Sequence, residues 1–245
     1  MTSMGNSEFV LTIFGALAQE ESANTSKRVK FGKKMNAEKG RVPNIVYGYD
    51  KTIGDYFNLA INKEESKVIS IPTWALLIEH QNGKILFDTG RKDHELLKKE
   101  LLKCNVVPEQ IDTVVLSHLH FDHAGNIDLF KNATIYVQNK ELEECINNGD
   151  KPYNRGAYVK NPMILHNKWK IIDGEYRLIE GVTLIPFYGH TKGLQGMLIE
   201  LKHQNILVCS DACYTSRNLG PPIIHPGFLN DIENYDKNLE KIKKI

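Results

Sequence analysis

The sequence predicts an α/β fold built around a metal site, and three observations predict it. From residue 68 onward, short apolar runs rich in β-branched side chains alternate with amphipathic stretches of helical period. Two pairs of those runs are joined by short polar connections, the pattern of antiparallel hairpins. A dense imidazole and carboxylate cluster, His118-Leu119-His120-Phe121-Asp122-His123, follows one strand-like run directly and precedes Ala124-Gly125.

The elements follow in chain order. Residues 7–38 are predicted to form a long helix. Phe9, Val10, Ile13, Phe14, Leu17 and Ala18 recur at helical spacing, Ser7 can cap the start, and Gly40 followed by Pro43 stops it. Residues 27–41 carry Lys27, Arg28, Lys30, Lys33, Lys34, Lys39 and Arg41 against Glu38 alone. Such a basic segment can contact the phosphates of DNA, or can simply be a solvated charged face. Strands are predicted at 68–79, 84–88, 112–117, 133–138, 182–187, 196–201 and 205–210, with helices at 93–103, 139–147 and 232–245. The pairs 68–79 with 84–88 and 196–201 with 205–210 are the hairpins. The chain therefore divides into an arm, residues 1–66, and an α/β unit, residues 67–245.

Composition excludes several classes. With 41% hydrophobic and 25% charged residues, the 245-residue chain is neither collagen-like nor fully disordered. A formal charge of +1 supplies no global field toward nucleic acid or membrane. Cys104, Cys145, Cys209 and Cys213 are too scattered for a disulfide framework and read as reduced thiols of a cytoplasmic protein. The apolar run 9–18 lacks the preceding positive charge of a signal peptide, and no run reaches the ~20 apolar residues of a membrane helix.

The chemistry concentrates in SHLHFDHAGN. On an extended backbone His118 and His120 point to one side, and the following turn brings Asp122 and His123 toward the same volume. Imidazole and carboxylate donors suit Zn²⁺, and also Fe or Mn. A random HxHxDH is expected on the order of once in a thousand such chains, so chance is a weak competitor. His190, between Gly189 and Gly193 after the run VTLIPF, and Asp211, at the end of NILVCS, are candidate distant ligands. A carboxylate at a strand end can bridge two cations about 3.5–4 Å apart.

Together with the FDTG loop at Phe87-Asp88-Thr89-Gly90, this order of motifs resembles the metallo-β-lactamase superfamily over about residues 68–245. Within it, IPTWALLIEH with KILFDTG, SHLHFDHAGN, the IDGEYRLIEGVTLIPFYGHTKG run and SDACYT resemble the N-acyl-homoserine lactonases. That resemblance implies an αβ/βα sandwich and a hydrolase that opens the lactone ring of a small-molecule substrate with cation-activated water. It implies that His118, His120 and His190 hold one metal, Asp122 and His123 a second, and that Asp211 bridges them. Tyr214 would assist the lactone carbonyl, and Asp122 would carry a proton to the leaving alkoxide. Ahead of this unit, residues 9–66, with ALAQEES, Ser26, Arg28, Gly32, Gly40, Pro43 and Tyr47-Gly48-Tyr49, resemble a serine site-specific recombinase where its long helix meets the DNA-binding domain. The nucleophilic serine of that family lies upstream of the matched stretch, so no recombinase activity is implied.

The match departs from the group in three places. The group carries a further late histidine on the second metal. Here the one histidine after Asp211 is His225, in a proline-rich stretch, which reads as a surface or substrate-loop residue rather than a substitute ligand. Weak occupancy of the second site is therefore expected. Leu194 stands where many relatives have a second histidine. The sandwich is expected to be truncated at both ends, leaving two open sheet edges behind an N-terminal helical arm. The alternatives are another hydrolase of the same fold, acting on thioesters or β-lactams, an inactive fusion fragment whose basic helix contacts DNA, or a protein that binds a partner through the apolar face of 9–18.

Overall fold

The computed structural model describes the backbone of residues 10–15 and the whole of residues 74–245. Six strands form the first sheet. They are β1 (Val10–Gly15), β2 (Trp74–His80), β3 (Gly83–Phe87), β4 (Thr113–Val115), β5 (Thr134–Gln138) and β6 (Trp169–Ile172), in that spatial order. β1, β2 and β3 pair antiparallel, while β3 through β6 run parallel. The second sheet is antiparallel, in the order β10 (Asn205–Val208), β9 (Gln195–Glu200), β8 (Val182–Pro186) and β7 (Tyr176–Ile179). Four helices complete the unit: α1 (His94–Leu102), α2 (Asn139–Asn148), α3 (Pro162–Leu165) and α4 (Ile232–Ile242).

Period-two alternation builds the layers. Leu76, Ile78, Ile85, Phe87 and Val115 point from the first sheet onto Val182, Leu184, Met197 and Ile199 of the second, and all are buried. Their neighbours Ala75, Leu77, Leu86 and Val114 face the other way, against Leu97 and Leu101 of α1 and Leu142 and Cys145 of α2. On the outer face of the second sheet, Ile185, Phe187 and Leu194 pack with Ile242 of α4. The result is the αβ/βα sandwich that the resemblance implies. Central strands buried on both faces explain why their sequences read as continuous apolar runs. Both predicted hairpins form, with Glu79 opposite Lys84 in one and Asn205 opposite Glu200 in the other. Two helices start on aspartate caps, Asp93 accepting from Leu96 N and Asp231 from Asn234 N.

Two strands escape the sequence reading. β6 (WKII) and β7 (YRLI) are four residues each, and three of those eight side chains are exposed, so alternation is too short and too polar to register. One expectation is overturned. Within the predicted helix 7–38, residues 10–15 form β1, paired with β2 from Val10 opposite Glu79 to Gly15 opposite Trp74. The run VLTIFG is β-branched and aromatic, and a short apolar run carries no periodicity that separates helix from strand. Pairing with β2 decides the matter, and it makes β2 an interior strand where an open edge was expected. The rest of the predicted arm, with the basic stretch 27–41 and most of the recombinase-like segment, lies outside the described residues. Among the described residues no helix is long and apolar enough to cross a membrane.

Candidate metal centre

Four strands from both sheets deliver the site at their carboxyl ends. β3 leads into Asp88, β4 into Ser117 and His118, β8 into His190, and β10 into Asp211. The four histidines are nearly inaccessible, His118 at 0%, His120 at 4%, His123 at 7% and His190 at 2% exposure. Two glycines shape the loop that carries His190. Gly189 adopts φ 137°, and a Cβ there would meet Tyr235 at 2.6 Å. A Cβ on Gly193 would stand 2.2 Å from the backbone nitrogen of Glu141, so this loop must pack flush against α2.

The ligand-type atoms converge in two overlapping groups, His118 with His120 and His190, and His118 with His123 and Asp211. Within each group the donor atoms lie within 4.8 Å of one another. His120 Nδ1 is 3.0 Å from His118 Nε2 and 3.2 Å from His190 Nε2. Asp211 faces both groups, with Oδ2 3.3 Å from His190 Nε2 and Oδ1 3.4 Å from His123 Nε2. Asp122 Oδ2 lies 3.7 Å from His123 Nε2, at the margin of the second group. The Tyr214 hydroxyl stands 3.0 Å from His190 Nδ1 and also hydrogen-bonds Asp211. His225 belongs to neither group. It pairs at 2.6 Å with Asp236 of α4 on the surface, as the surface reading has it. Leu194 is buried in the core.

The partners of the remaining ring nitrogens set the tautomers. His123 Nδ1 is 2.9 Å from Asp88 Oδ2, and His190 Nδ1 is 3.1 Å from the Phe228 carbonyl. Both oxygens only accept, so each Nδ1 carries a proton and each Nε2 is the atom turned to the ligand side. Ser117 Oγ donates its single proton to Asp88 Oδ2 at 2.8 Å and therefore accepts from His118 Nδ1 at 2.9 Å. His120 is reversed: its Nδ1 faces the cluster, while its buried Nε2 has no hydrogen-bond partner among the described residues. Three imidazole lone pairs aimed at one another at about hydrogen-bond distance, with the protons elsewhere, fit a cation between them.

The electrostatics agree with that fit. Burial, reinforced by the neighbouring imidazoles, holds His118 and His120 well below the usual histidine range, so their lone pairs stay free. Burial also lowers His190. At His123 burial opposes the charge, but the carboxylates of Asp211, Asp122 and Asp88 outweigh it and push the imidazole up to about 10, so a cation at Nε2 must displace the proton held there. Negative charge is thus in excess on this side, as a divalent cation requires. Burial and the adjacent Asp211 raise the Tyr214 phenol well above its ordinary value, so it keeps its proton as a donor.

Three contributors were not assigned roles from sequence. Asp88 lies in the FDTG loop that the sequence singles out, and it proves to be fully buried and bonded to Ser117 N, Ser117 Oγ and His123. Phe228 rests edge-on against the ring of His120 and tilted against that of His190, at 5.2 and 5.3 Å between centroids. Glu141 accepts hydrogen bonds from both histidine-bearing loops.

The family model for the metallo-beta-lactamase superfamily matches residues 70–245. An N-acyl homoserine lactonase of Bacillus thuringiensis is 29% identical over 204 residues, covering 73% of this chain and 78% of that protein. An N-acyl homoserine lactonase of Rhizobium rhizogenes is 31% identical over 215 residues, covering 73% and 76%. Among solved structures, an N-acyl homoserine lactone hydrolase with the product N-hexanoyl-L-homoserine at its catalytic metal centre superposes with a TM-score of 0.63 at 28% identity, over 73% of this chain and 78% of that one.

Proposed function

This chain belongs to the metallo-beta-lactamase superfamily and is a metal-dependent hydrolase, and on that premise we propose that it opens the lactone ring of N-acyl homoserine lactones. The hydrolase unit is proposed to run from residue 67 to 245, a reading supported by a family match that starts at residue 70, with β1 joining its first sheet from the preceding segment. The observation that carries the proposal is the pair of ligand groups that share His118, with Asp211 turned to both and the Tyr214 hydroxyl beside it. The lactonases among its relatives, at 29% and 31% identity, support the choice of substrate.

His118, His120 and His190 are proposed to hold one cation, Asp122 and His123 a second, and Asp211 to bridge them. When bound, Zn²⁺ (or Fe or Mn) supplies a Lewis acid and lowers the pKa of water to ~7. The protein does the rest. Asp88, Ser117 and the Phe228 carbonyl hold three Nδ1 protons away from the ligand side. Tyr214 donates its hydroxyl hydrogen bond to the carbonyl oxygen as negative charge develops there. Oxygen from water joins the carbonyl carbon as one of its protons passes to Asp122 Oδ2, the ring C–O bond breaks, and Asp122 hands that same proton to the departing alkoxide. The product is the ring-opened N-acyl homoserine. Phe228 walls the histidines from bulk water.

The test is hydrolysis of N-hexanoyl-homoserine lactone by the full chain after Zn²⁺ loading, beside a thioester and a β-lactam. Lactone turnover that disappears on chelation and in His120→Ala supports the proposal. Turnover retained under both, or a clear preference for the thioester or β-lactam, overturns it.

A further inference from the structure

We propose that the buried Glu141 carboxylate is a positioning residue of the metal centre. It clamps the loop carrying His118 and His120 to the loop carrying His190 and so fixes the spacing of the three imidazoles. The inference rests on the metal-centre reading above and adds a residue to which that reading assigns no part.

Glu141 sits in the first turn of α2 and is completely inaccessible to solvent. Its Oε1 accepts from the backbone N of Leu119 at 2.9 Å, the residue between His118 and His120. Its Oε2 accepts from Thr191 Oγ1 at 2.6 Å and from the backbone N of Gly193 at 3.0 Å, on the loop that begins at His190. One side chain therefore ties together two segments that are 70 residues apart in sequence and meet where His190 Nε2 faces His120 Nδ1 at 3.2 Å. The absence of a Cβ at Gly193 lets that loop lie directly on the α2 backbone, which is where the carboxylate reaches it. Glu141 belongs to neither ligand group, and both of its oxygens are turned to protein donors.

A glutamate fits this arrangement and an amide does not. Its two oxygens meet two backbone N–H groups, of Leu119 and Gly193, and the hydroxyls of Thr191 and Tyr158. In Glu141→Gln one oxygen becomes an NH₂ group. Facing Leu119, it opposes a backbone N–H with another donor. Facing the 190–193 loop, it opposes the Gly193 N–H, although the Thr191 hydroxyl could rotate to accept. Either orientation strands a buried backbone N–H, and the stranded loop must shift to regain a partner. A shift of one loop against the other changes the distances among His118, His120 and His190, and metal affinity depends on those distances.

The experiment measures Zn²⁺ affinity by chelator competition, together with the Co²⁺ absorption spectrum, in wild type, Glu141→Gln, Thr191→Val and Leu142→Ala. Leu142 is a core residue of the same helix that makes none of the Glu141 hydrogen bonds, so its truncation lowers stability while leaving the partners of the carboxylate in place. The clamp predicts Zn²⁺ binding weakened about 10- to 100-fold in Glu141→Gln, and about 3- to 10-fold in Thr191→Val, the worth of one hydrogen bond. Both variants should show a changed Co²⁺ spectrum, and Leu142→Ala should keep the wild-type affinity and spectrum. In the metal-free chain, the Leu119 and Gly193 amides should exchange faster in Glu141→Gln. Should Glu141→Gln fail to fold, Thr191→Val decides. A Thr191→Val protein with wild-type affinity and spectrum overturns the clamp, as does a Leu142→Ala protein that loses affinity as much as Glu141→Gln does. Wild type that takes up no metal overturns the metal-centre reading itself, a different failure from wild-type uptake matched by the variants.

Discussion

Replacing Asp88 by asparagine probes the histidine tautomers most sharply. Asp88 is fully buried and accepts from Ser117 N at 2.7 Å, Ser117 Oγ at 2.8 Å and His123 Nδ1 at 2.9 Å. An asparagine can keep its oxygen on the Ser117 amide, but its NH₂ then faces His123 Nδ1. Two donors cannot share that contact, so the imidazole must move its proton to Nε2, the atom that faces Asp211 at 3.4 Å. The lone pair meant for the cation is lost, and so is a hydrogen bond to a charged acceptor worth about 1.5–3 kcal/mol. That energy corresponds to a factor of about 10 to 100 in affinity, in line with substitutions behind metal-bound histidines elsewhere. The loss should fall on the His123 group, because Ser117 Oγ, which faces the same NH₂, can turn its proton to Ser210 Oγ at 2.9 Å and go on accepting from His118 Nδ1. Zn²⁺ titration by calorimetry should therefore show one class of site weakened by that factor and the other kept. Asp88→Asn with both classes within about twofold of wild type would refute the tautomer argument.

Three further outcomes follow from the same geometry. Tyr214→Phe should lower the turnover number on the lactone by about 10²-fold, as loss of one oxyanion donor does, while Zn²⁺ affinity is unchanged; steady-state kinetics with a metal titration checks both. His225→Ala should change neither Zn²⁺ affinity nor turnover, since it removes a surface pair with Asp236 worth at most about 1 kcal/mol, and a weakened second site in that variant would return His225 to the ligand set. Burial pushes the thiols of Cys145 and Cys209 up to about 12 and that of Cys213 up to about 11, so in the folded chain all three stay protonated and resist iodoacetamide at pH 8. Peptide mass spectrometry should find them unmodified until the pH approaches those values or the chain is denatured.

The sequence made the ligand cluster legible because its geometry is local. Two histidines at i and i+2 on an extended backbone share a side by construction, and His118 and His120 do so here with ring centroids 4.4 Å apart. His190 and Asp211 were legible as strand-end residues in a known order. Glu141 was not. NKELEEC reads as the acidic face of a surface helix, yet Glu141 and Glu144 are buried at 0% and 3%, because donors from other loops meet them there. No property of the helix itself announces those donors. The segment 10–15 shows the same limit in the opposite direction. Its apolar spacing is compatible with either period, and the choice belongs to β2, some 60 residues away. β6 and β7 were lost because edge positions expose Lys170, Ile171 and Arg177, which erases the alternation.

The central claim is that the two ligand groups sharing His118 hold metal. Metal content per chain, measured by mass spectrometry on protein loaded with Zn²⁺ and cleared of excess, tests it most directly. One to two equivalents in wild type, falling below one in His120→Ala, is the predicted result. A folded wild-type chain that carries no metal would contradict it.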